Sequence, residues 1–242
     1  MDNSGLKDEK LACTEALRQH LQTAKRLRRQ ANAAPATARQ RLFLREWQAG
    51  RLAHTYADLL ASERFGQAAQ FFLSDLYGPK DFSSRDEEVE RILPLLISLL
   101  PFSALQTLSL AIEVDALSEL LDAAMVVELE RAGSIEHIDE AAYAAAYRCV
   151  GRRPERERQI MLIRNTGKAL EKLSRKTLLN TLLKLMRGPT HLAGLGDLQA
   201  FLENGFAAFR HMGDASEFLD CIESRERRLF TNLFSGAAQP FA

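Results

Sequence analysis

The chain has 242 residues, of which 46% are hydrophobic and 26% are charged. This composition is typical of a soluble globular protein, and the length suffices to bury a core without disulfides or metal. The three cysteines share no CxxC spacing, which excludes a disulfide framework and favours a reducing, cytoplasmic location. We expect no secretion signal and no membrane partner, because the longest apolar run, 92–102, is too short to span a bilayer.

The 32 basic and 32 acidic residues cancel, but they are segregated along the chain. Residues 1–60 hold 11 basic and 6 acidic groups, 61–140 hold 5 and 16, 141–190 hold 12 and 3, and 191–242 hold 4 and 7. Domains that bind nucleic-acid phosphates usually keep a net basic charge. The alternating blocks therefore favour basic helices that pack beside acidic ones.

Apolar residues recur at intervals of three and four from the start of the chain, which predicts α-helices. The first helix runs from about residue 5 to 32, and the stretch 1–34 is a candidate for a peripheral element. A second helix is predicted from Thr37 to about Arg64. A shorter one follows and ends at Tyr77.

An acidic residue near the end of this shorter helix faces an apolar side. Asp75 lies four residues after Phe71 and three after Phe72, so it shares their face of the helix. Burying an unpaired carboxylate is costly, and such a group is usually matched by a base or a hydroxyl. We predict that Asp75 is largely buried and paired with Arg51 or Tyr56.

Gly78 and Pro79 then break the chain. The next helix leads into the segment 95–100, which is apolar on nearly all sides, and we expect this segment near the centre of the core. The break itself is a candidate binding pocket, because several polar side chains stand beside it. These candidate binding residues are Tyr77, Lys80, Asp81 and Arg85.

The remaining periodic segments complete the predicted fold. Helices are expected over 103–131, 134–150, 154–175 with a break near 165–167, 178–186, 197–212 and 214–234. The last residues, 236–242, are expected to form a loose tail. No strand-like alternation is present, so we predict an all-α, irregular multi-helix bundle of about eight to ten helices without a sheet, forming a single domain over 1–242.

Searches for catalytic motifs assign no chemistry. No histidine lies three residues after an acid, as a di-iron bundle requires, and no phosphate-binding glycine loop occurs. The acids between 113 and 122 are better explained by basic neighbours than by a cation. We therefore predict no catalytic residue, no cofactor and no metal site, and the sequence favours a protein that is not an enzyme.

One stretch resembles a known family. Residues 51–60, RLAHTYADLL, and 71–86, FFLSDLYGPKDFSSRD, are similar to a family of uncharacterised, all-helical bacterial proteins with the pattern FFLxDLYGPKDFxxRD. The resemblance implies a bacterial, cytoplasmic protein. It brings no catalytic residue, because no activity is established for the family.

The sequence thus indicates a protein of unknown biochemical function, with three hypotheses. The favoured one is a non-enzymatic interaction or regulatory protein, whose charged helix faces bind a protein partner or a second copy. The alternative is a small-molecule binding protein or enzyme with a pocket near residues 77–86. The third is nucleic-acid binding through the basic segment 148–176.

Overall fold

The computed structural model describes residues 3–76, 78 and 83–241. Within these residues it contains eleven α-helices, one π-helical segment and no strand, which confirms the all-α class. The helices are α1 Asn3–Asn32, α2 Pro35–Thr55, α3 Ala57–Ala61, α4 Gly66–Phe71, the π-helical segment Phe72–Leu76, α5 Ser83–Leu99, α6 Phe102–Arg131, α7 Glu140–Val150, α8 Arg153–Ser174, α9 Thr177–Leu192, α10 Gly196–Met212 and α11 Ser216–Ser235. No helix in these ranges is both long and apolar enough to cross a membrane.

Several boundaries differ from the predicted ones: α7 begins at Glu140 instead of near 134, and α9 continues to Leu192 instead of ending near 186. Two further differences have local reasons. The second helix ends at Thr55 instead of near Arg64, because Tyr56 leaves the helical conformation with φ −113° and ψ 23°. The break expected near 165–167 is absent, and α8 is continuous through it. Gly167 serves a packing purpose there, since it lets α11 approach α8 closely.

The long helix α6 is the element against which the others are arranged. α1 lies along it, α8 packs on it, and α2 and α7 also contact it. Leu17, Leu21 and Ala24 of α1 are buried against this partner and its neighbours. The second half of α1 therefore contributes to the core.

Three hydrophobic clusters fill the interior. The Phe218 cluster lies between α3, α4, α10 and α11, the Met125 cluster between α2, α6, α7 and α11, and the Leu93 cluster between α1, α5, α6 and α10. The C-terminal tail closes the Met125 cluster, because the Phe241 ring packs edge-on against Trp47 at a centroid distance of 5.7 Å.

The apolar segment 95–100 lies at the edge of the molecule, so the expectation that it occupies the centre is wrong. Leu95 is 51% exposed and Leu99 is 70% exposed. Burial on α5 instead follows Val89 and Leu93, which lie one turn apart and face α1 and α10. The helix continues past this stripe with leucines on its outer side.

A buried ion-pair network joins α1 and α2 to α5 and α6. Its members are Arg28, Arg41, Arg45, Asp86, Asp115 and Glu119. Arg28, whose side chain is 3% exposed, binds Asp86 of α5 and Asp115 of α6, the latter at 2.5 Å. Arg41 and Arg45 of α2 both bind Glu119 of α6. Each of these arginines binds at least one of the three carboxylates, and Arg85 of α5 lies 3.6 Å from Asp115 as a fourth cation.

Ion pairs also connect the oppositely charged segments elsewhere. Lys25 of α1 binds Glu90 of α5, and Arg158 of α8 binds Glu113 of α6. Arg164 of α8 binds both Asp220 and Glu223 of α11. The segregation of charge along the chain thus becomes complementarity between packed helices.

The ion-pair network predicts a pH dependence of stability. Burial raises the pKa of the Asp86 carboxyl to about 6, although Arg28 attracts its charged form. A carboxyl that holds its proton more tightly in the folded chain loses stability as the pH rises between about 4 and about 6. Asp86→Asn cannot titrate, so we expect its free energy of unfolding, relative to the native chain, to rise by about 1–3 kcal/mol across this window. Urea unfolding at the two ends of the window measures this difference.

Asp58→Asn is the control of opposite sign. The hydrogen bonds from Arg225 lower the pKa of the Asp58 carboxyl to about 2. The stability of this variant relative to the native chain should therefore fall as the pH increases from about 2 to about 4, and it should stay nearly constant between about 4 and about 6. A pH-independent difference for Asp86→Asn would contradict the role assigned to its burial.

The contact between α8 and α11 gives a second prediction. A Cβ atom at Gly167 would lie 2.4 Å from Cδ2 of Leu219, a side chain that is 1% exposed and has no room to move. We expect Gly167→Val to lower the free energy of unfolding by about 2–3 kcal/mol. Gly50→Ala is the control, because Gly50 is exposed within α2 and its Cβ would meet no atom within 4 Å. That change should stabilise the protein by about 0.5–1 kcal/mol in the same urea titration.

Candidate functional site

A cavity of about 190 Å³ lies where the three hydrophobic clusters meet. Side chains from α2, α5, α6, α7, α8, α10, α11 and the π-helical segment line it. Gly78 and Arg85, which flank the predicted pocket near 77–86, are among the lining residues. The other predicted binding residues, Tyr77, Lys80 and Asp81, lie outside the described residues.

Two of the lining helices run antiparallel along the cavity. Gln159, near the start of α8, donates a hydrogen bond to Ser118 of α6 at 2.8 Å. Lys176, just beyond the end of α8, donates to Ser103 at the start of α6 at 3.2 Å. The first part of α8 therefore faces the second part of α6.

The lining changes from polar to apolar along this direction. The polar end consists of Arg51, Asp122, Tyr143, Tyr147, Arg156 and Glu226. The apolar end consists of Phe72, Leu108, Ile112, Leu170, Leu198, Phe201 and Leu202. Both α6 and α8 contribute to the change, because each carries its apolar lining residues at the same end of the cavity.

The Glu226 carboxylate of the polar end is already bound by two donors. The Tyr56 hydroxyl donates to Glu226 Oε1 at 2.7 Å, and Arg51 Nη1 donates to the same oxygen at 3.0 Å. Burial and the neighbouring Glu226 raise the pKa of the Tyr56 phenol, so this donor keeps its proton. Arg51 and Glu226 thus neutralise each other.

Arg156 is the second cation of the polar end, and it lacks such a partner. Its side chain is buried, with the residue only 5% exposed, and its guanidinium carbon lies 4.2 Å from the centroid of the Tyr147 ring. Nε and Nη2 are buried and have no hydrogen-bond partner among the described residues. The ring offers a cation–π contact, but it accepts neither of these hydrogens in the plane of the guanidinium. Arg156 is therefore a buried cation that forms no ion pair with a carboxylate of the described residues.

The phenol beside Arg156 is a neutral donor. Burial raises the pKa of the Tyr147 hydroxyl, which outweighs the opposing effect of Arg156. Tyr143 next to it stacks on Trp47 at a centroid distance of 4.1 Å. The only tryptophan of the chain is thus one ring away from the polar end.

Arg85 borders the opposite end of the cavity. Its guanidinium lies 4.6 Å from the centroid of the Phe201 ring and 3.6 Å from the Asp115 carboxylate. Arg85 Nη1 also donates to the backbone oxygen of Asp75 at 3.1 Å. Of the four predicted binding residues, Arg85 is thus placed in the cavity wall.

The carboxylate of Asp75 has a different partner from the expected ones. Asp75 is half-buried and accepts a hydrogen bond from the adjacent Ser74 hydroxyl at 3.0 Å. Arg51 and Tyr56, which the sequence pairs with it, bind Glu226 instead. The reason is the fold: α11 lies alongside the end of α2 and brings Glu226 to both donors.

The sequence reasoning missed Arg156 and Glu226 as site residues. Arg156 was visible only as part of the basic segment 148–176. A finer signal exists, because Ile160 and Ile163 follow Arg156 at spacings of four and seven, which places it on the apolar face of α8. Glu226 carries no comparable signal toward Arg51, which is 175 positions earlier.

These features define an all-α protein with an internal cavity that is charged at one end and apolar at the other. The chain belongs to the family described as a domain of unknown function (DUF8198), which matches residues 27–240. Searches among curated proteins and among solved structures find no match. Within the described ranges, no three His, Cys, Asp or Glu side chains are grouped so that they could hold a metal ion.

The two arginines of the polar end should differ in their effect on stability. Arg51→Met removes the cation that neutralises Glu226 and leaves a carboxylate largely buried, so we expect a loss of about 2 kcal/mol or more in the free energy of unfolding. Arg156→Met removes a cation without a carboxylate partner, so the lost ring contact is offset by relief of desolvation and the loss stays below about 1 kcal/mol. Urea unfolding of the two variants decides this, and equal losses would show that Arg156 is neutralised within the fold.

Proposed function

We propose that the protein binds a small organic anion in its internal cavity, with Arg156 as the residue that receives the negative charge. The single observation that carries the proposal is the buried guanidinium of Arg156, whose Nε and Nη2 have no acceptor in the described part of the chain. Buried charges in proteins are normally paired, and a cation held ready without a counter-ion is suited to bind one. The proposal is one of binding and assigns no reaction.

The surroundings of Arg156 support this assignment. Glu226, a carboxylate in the same part of the cavity, accepts hydrogen bonds from Arg51 and Tyr56 and forms no ion pair with Arg156 among the described residues. The Tyr147 phenol is a further hydrogen-bond donor next to the guanidinium. An entering anion would therefore meet donors and a cation without an ion-pair partner in a water-poor environment, where such interactions are strong.

The hypothesis of a protein partner has less support from the structure than from the sequence. It relied on charged helix faces, and many of these charges are paired between helices, as Arg158 is with Glu113 and Arg164 is with Asp220. Exposed Leu95 and Leu99 on α5 are the observation that still favours a partner.

Nucleic-acid binding through 148–176 is weakened by the same pairing. Arg158, Arg164 and Arg175 of this segment bind carboxylates of the protein itself, and Arg156 is buried. A surface that neutralises its own cations releases few counterions from a phosphate backbone. We therefore place the functional cation of this segment inside the molecule.

We also propose a bacterial, cytoplasmic protein. The resemblance of residues 51–60 and 71–86 supports the origin. The three cysteines are free, and Cys149 is exposed, which fits a compartment that keeps thiols reduced.

Thermal unfolding with and without sodium benzoate tests the proposed function, with neutral benzamide as the matched molecule and a constant ionic strength. Benzoate at about ten times its Kd should stabilise the native chain by about 1.4 kcal/mol, which is a rise in Tm of about 3 °C. Benzamide should give a clearly smaller rise. Quenching or a shift of the Trp47 fluorescence should accompany benzoate binding, because Trp47 stacks on a lining residue.

Arg156→Met and Arg158→Met form the matched pair of variants. Both remove a guanidinium from α8, but Arg158 lies outside the cavity and its side chain is 55% exposed. We expect the benzoate-induced rise in Tm to disappear in the first variant and to persist in the second. A rise that survives in Arg156→Met would refute the proposal, and so would the absence of any rise in the native chain with both benzoate and hexanoate.

A further inference from the structure

We infer that the bound anion is a monocarboxylate with a narrow apolar body of about six to eight carbons, its carboxylate at Arg156 and its body directed toward the apolar end of the cavity. The inference rests on the proposed function and adds the charge, orientation and size of the ligand. Three features of the cavity carry it: the distribution of carboxylates, the change in the lining and the volume.

The carboxylates of the lining determine where an anionic group fits. Asp115 and Glu119 lie in the wall toward the middle of the cavity, and Asp115 Oδ2 is buried with no hydrogen-bond partner in the described residues. The arginines beside them, Arg28, Arg41, Arg45 and Arg85, already pair with these two carboxylates, so a second negative charge on the ligand would have to compete with them. At Arg156 the nearby Glu226 is already neutralised. The site thus accepts one negative charge, at one end.

The lining beyond Arg156 determines what the rest of the ligand is made of. Along α8 the lining residues continue with Ile160, Ile163 and Leu170, and along α6 the facing residues are Leu108 and Ile112. A body in contact with these side chains gains affinity only through apolar burial. Since both helices change from polar to apolar in the same direction, the two ends of the ligand must differ in the same way.

The dimensions of the cavity limit the size of the body. An apolar cavity of about 150 Å³ is known to hold benzene, so the 190 Å³ here holds about eight to ten non-hydrogen atoms. The lining of α8 extends over fifteen residues, from Arg156 to Leu170, which is a rise of about 21 Å along the helix. A small volume along a long wall favours an alkyl chain over a compact ring system.

Beyond Ile160, Thr166 is the one polar residue that α8 contributes to the lining. Its Oγ1 is buried and has no hydrogen-bond partner within the described ranges. An alkyl chain passing it leaves this hydroxyl unsatisfied, so Thr166→Val should leave the affinity for an alkyl carboxylate unchanged or increase it. A ligand that carries a second polar group would instead lose affinity in this variant.

Isothermal titration calorimetry with sodium butanoate, hexanoate and octanoate tests the inference on the full chain. We expect Kd to fall by about threefold to fourfold for each added methylene up to octanoate. Succinate, with a second carboxylate, should bind more weakly than butanoate. Arg156→Met should abolish binding of the whole series, and Arg158→Met should leave it unchanged.

Two variants at the apolar end complete the test. Ala111→Leu extends a side chain into the cavity from α6 and should weaken octanoate at least tenfold while leaving butanoate within about twofold. Ala53→Leu is its control, because Ala53 is exposed on α2 and absent from the lining. Leu108→Ala enlarges the same end, so the chain length that binds most tightly should shift from octanoate to decanoate. This second variant keeps the test valid if Ala111→Leu unfolds.

The outcomes separate the inference from the proposed function. Binding that depends on Arg156 but not on chain length, or succinate binding as tight as butanoate, would overturn the inference and leave the proposed function intact. A loss of octanoate affinity in Thr166→Val would also overturn the inference that the body of the ligand is purely apolar. If neither benzoate nor any alkyl carboxylate binds in a manner that depends on Arg156, both fall.

Discussion

The pairing of buried charges along α6 is the constraint on which the rest of the structure depends. This helix turns Asp115 and Glu119 toward the interior, where a carboxylate without a partner destabilises the fold by several kcal/mol. The partners come from α1 and α2, which fixes the position of both helices against α6. A helix that shifted by one turn would separate these pairs, so the network specifies register as much as it contributes stability. The register of these helices also determines which of their side chains line the cavity.

Much of the fold was readable because the helices follow their apolar stripes. The bounds of α1, α6, α10 and α11 lie close to the predicted ones, since capping residues, glycines and prolines mark their ends. The prediction that the segment 95–100 lies at the centre of the core was wrong for the opposite reason. Apolar character on all sides of a helix does not say which side is buried, and here the neighbours α1 and α10 cover only one. The amino-acid composition of a helix does not show how many other helices pack against it.

A charged residue that continues the apolar stripe of a helix is the sequence pattern that best predicts a buried charge in this chain. Arg28 continues the series Leu17, Leu21 and Ala24 at helical spacing, and Arg156 precedes Ile160 in the same way. Both are buried. Asp75 also shares the apolar face of its helix, but there a hydrogen bond from the neighbouring hydroxyl and partial exposure to solvent are enough to stabilise the carboxylate. What the sequence could not give was the partner, because pairs such as Arg51 with Glu226 depend on how α2 and α11 pack.

The contrast between the two groups of buried arginines explains why one of them is assigned a function. In the ion-pair network every guanidinium meets a carboxylate, and four helices are tied together as a result. At the polar end of the cavity Arg51 binds Glu226, whereas Nε and Nη2 of Arg156 have no partner among the described residues. A buried cation without an ion-pair partner does not stabilise the fold. It would instead attract an anion, and this is the basis of the proposed function.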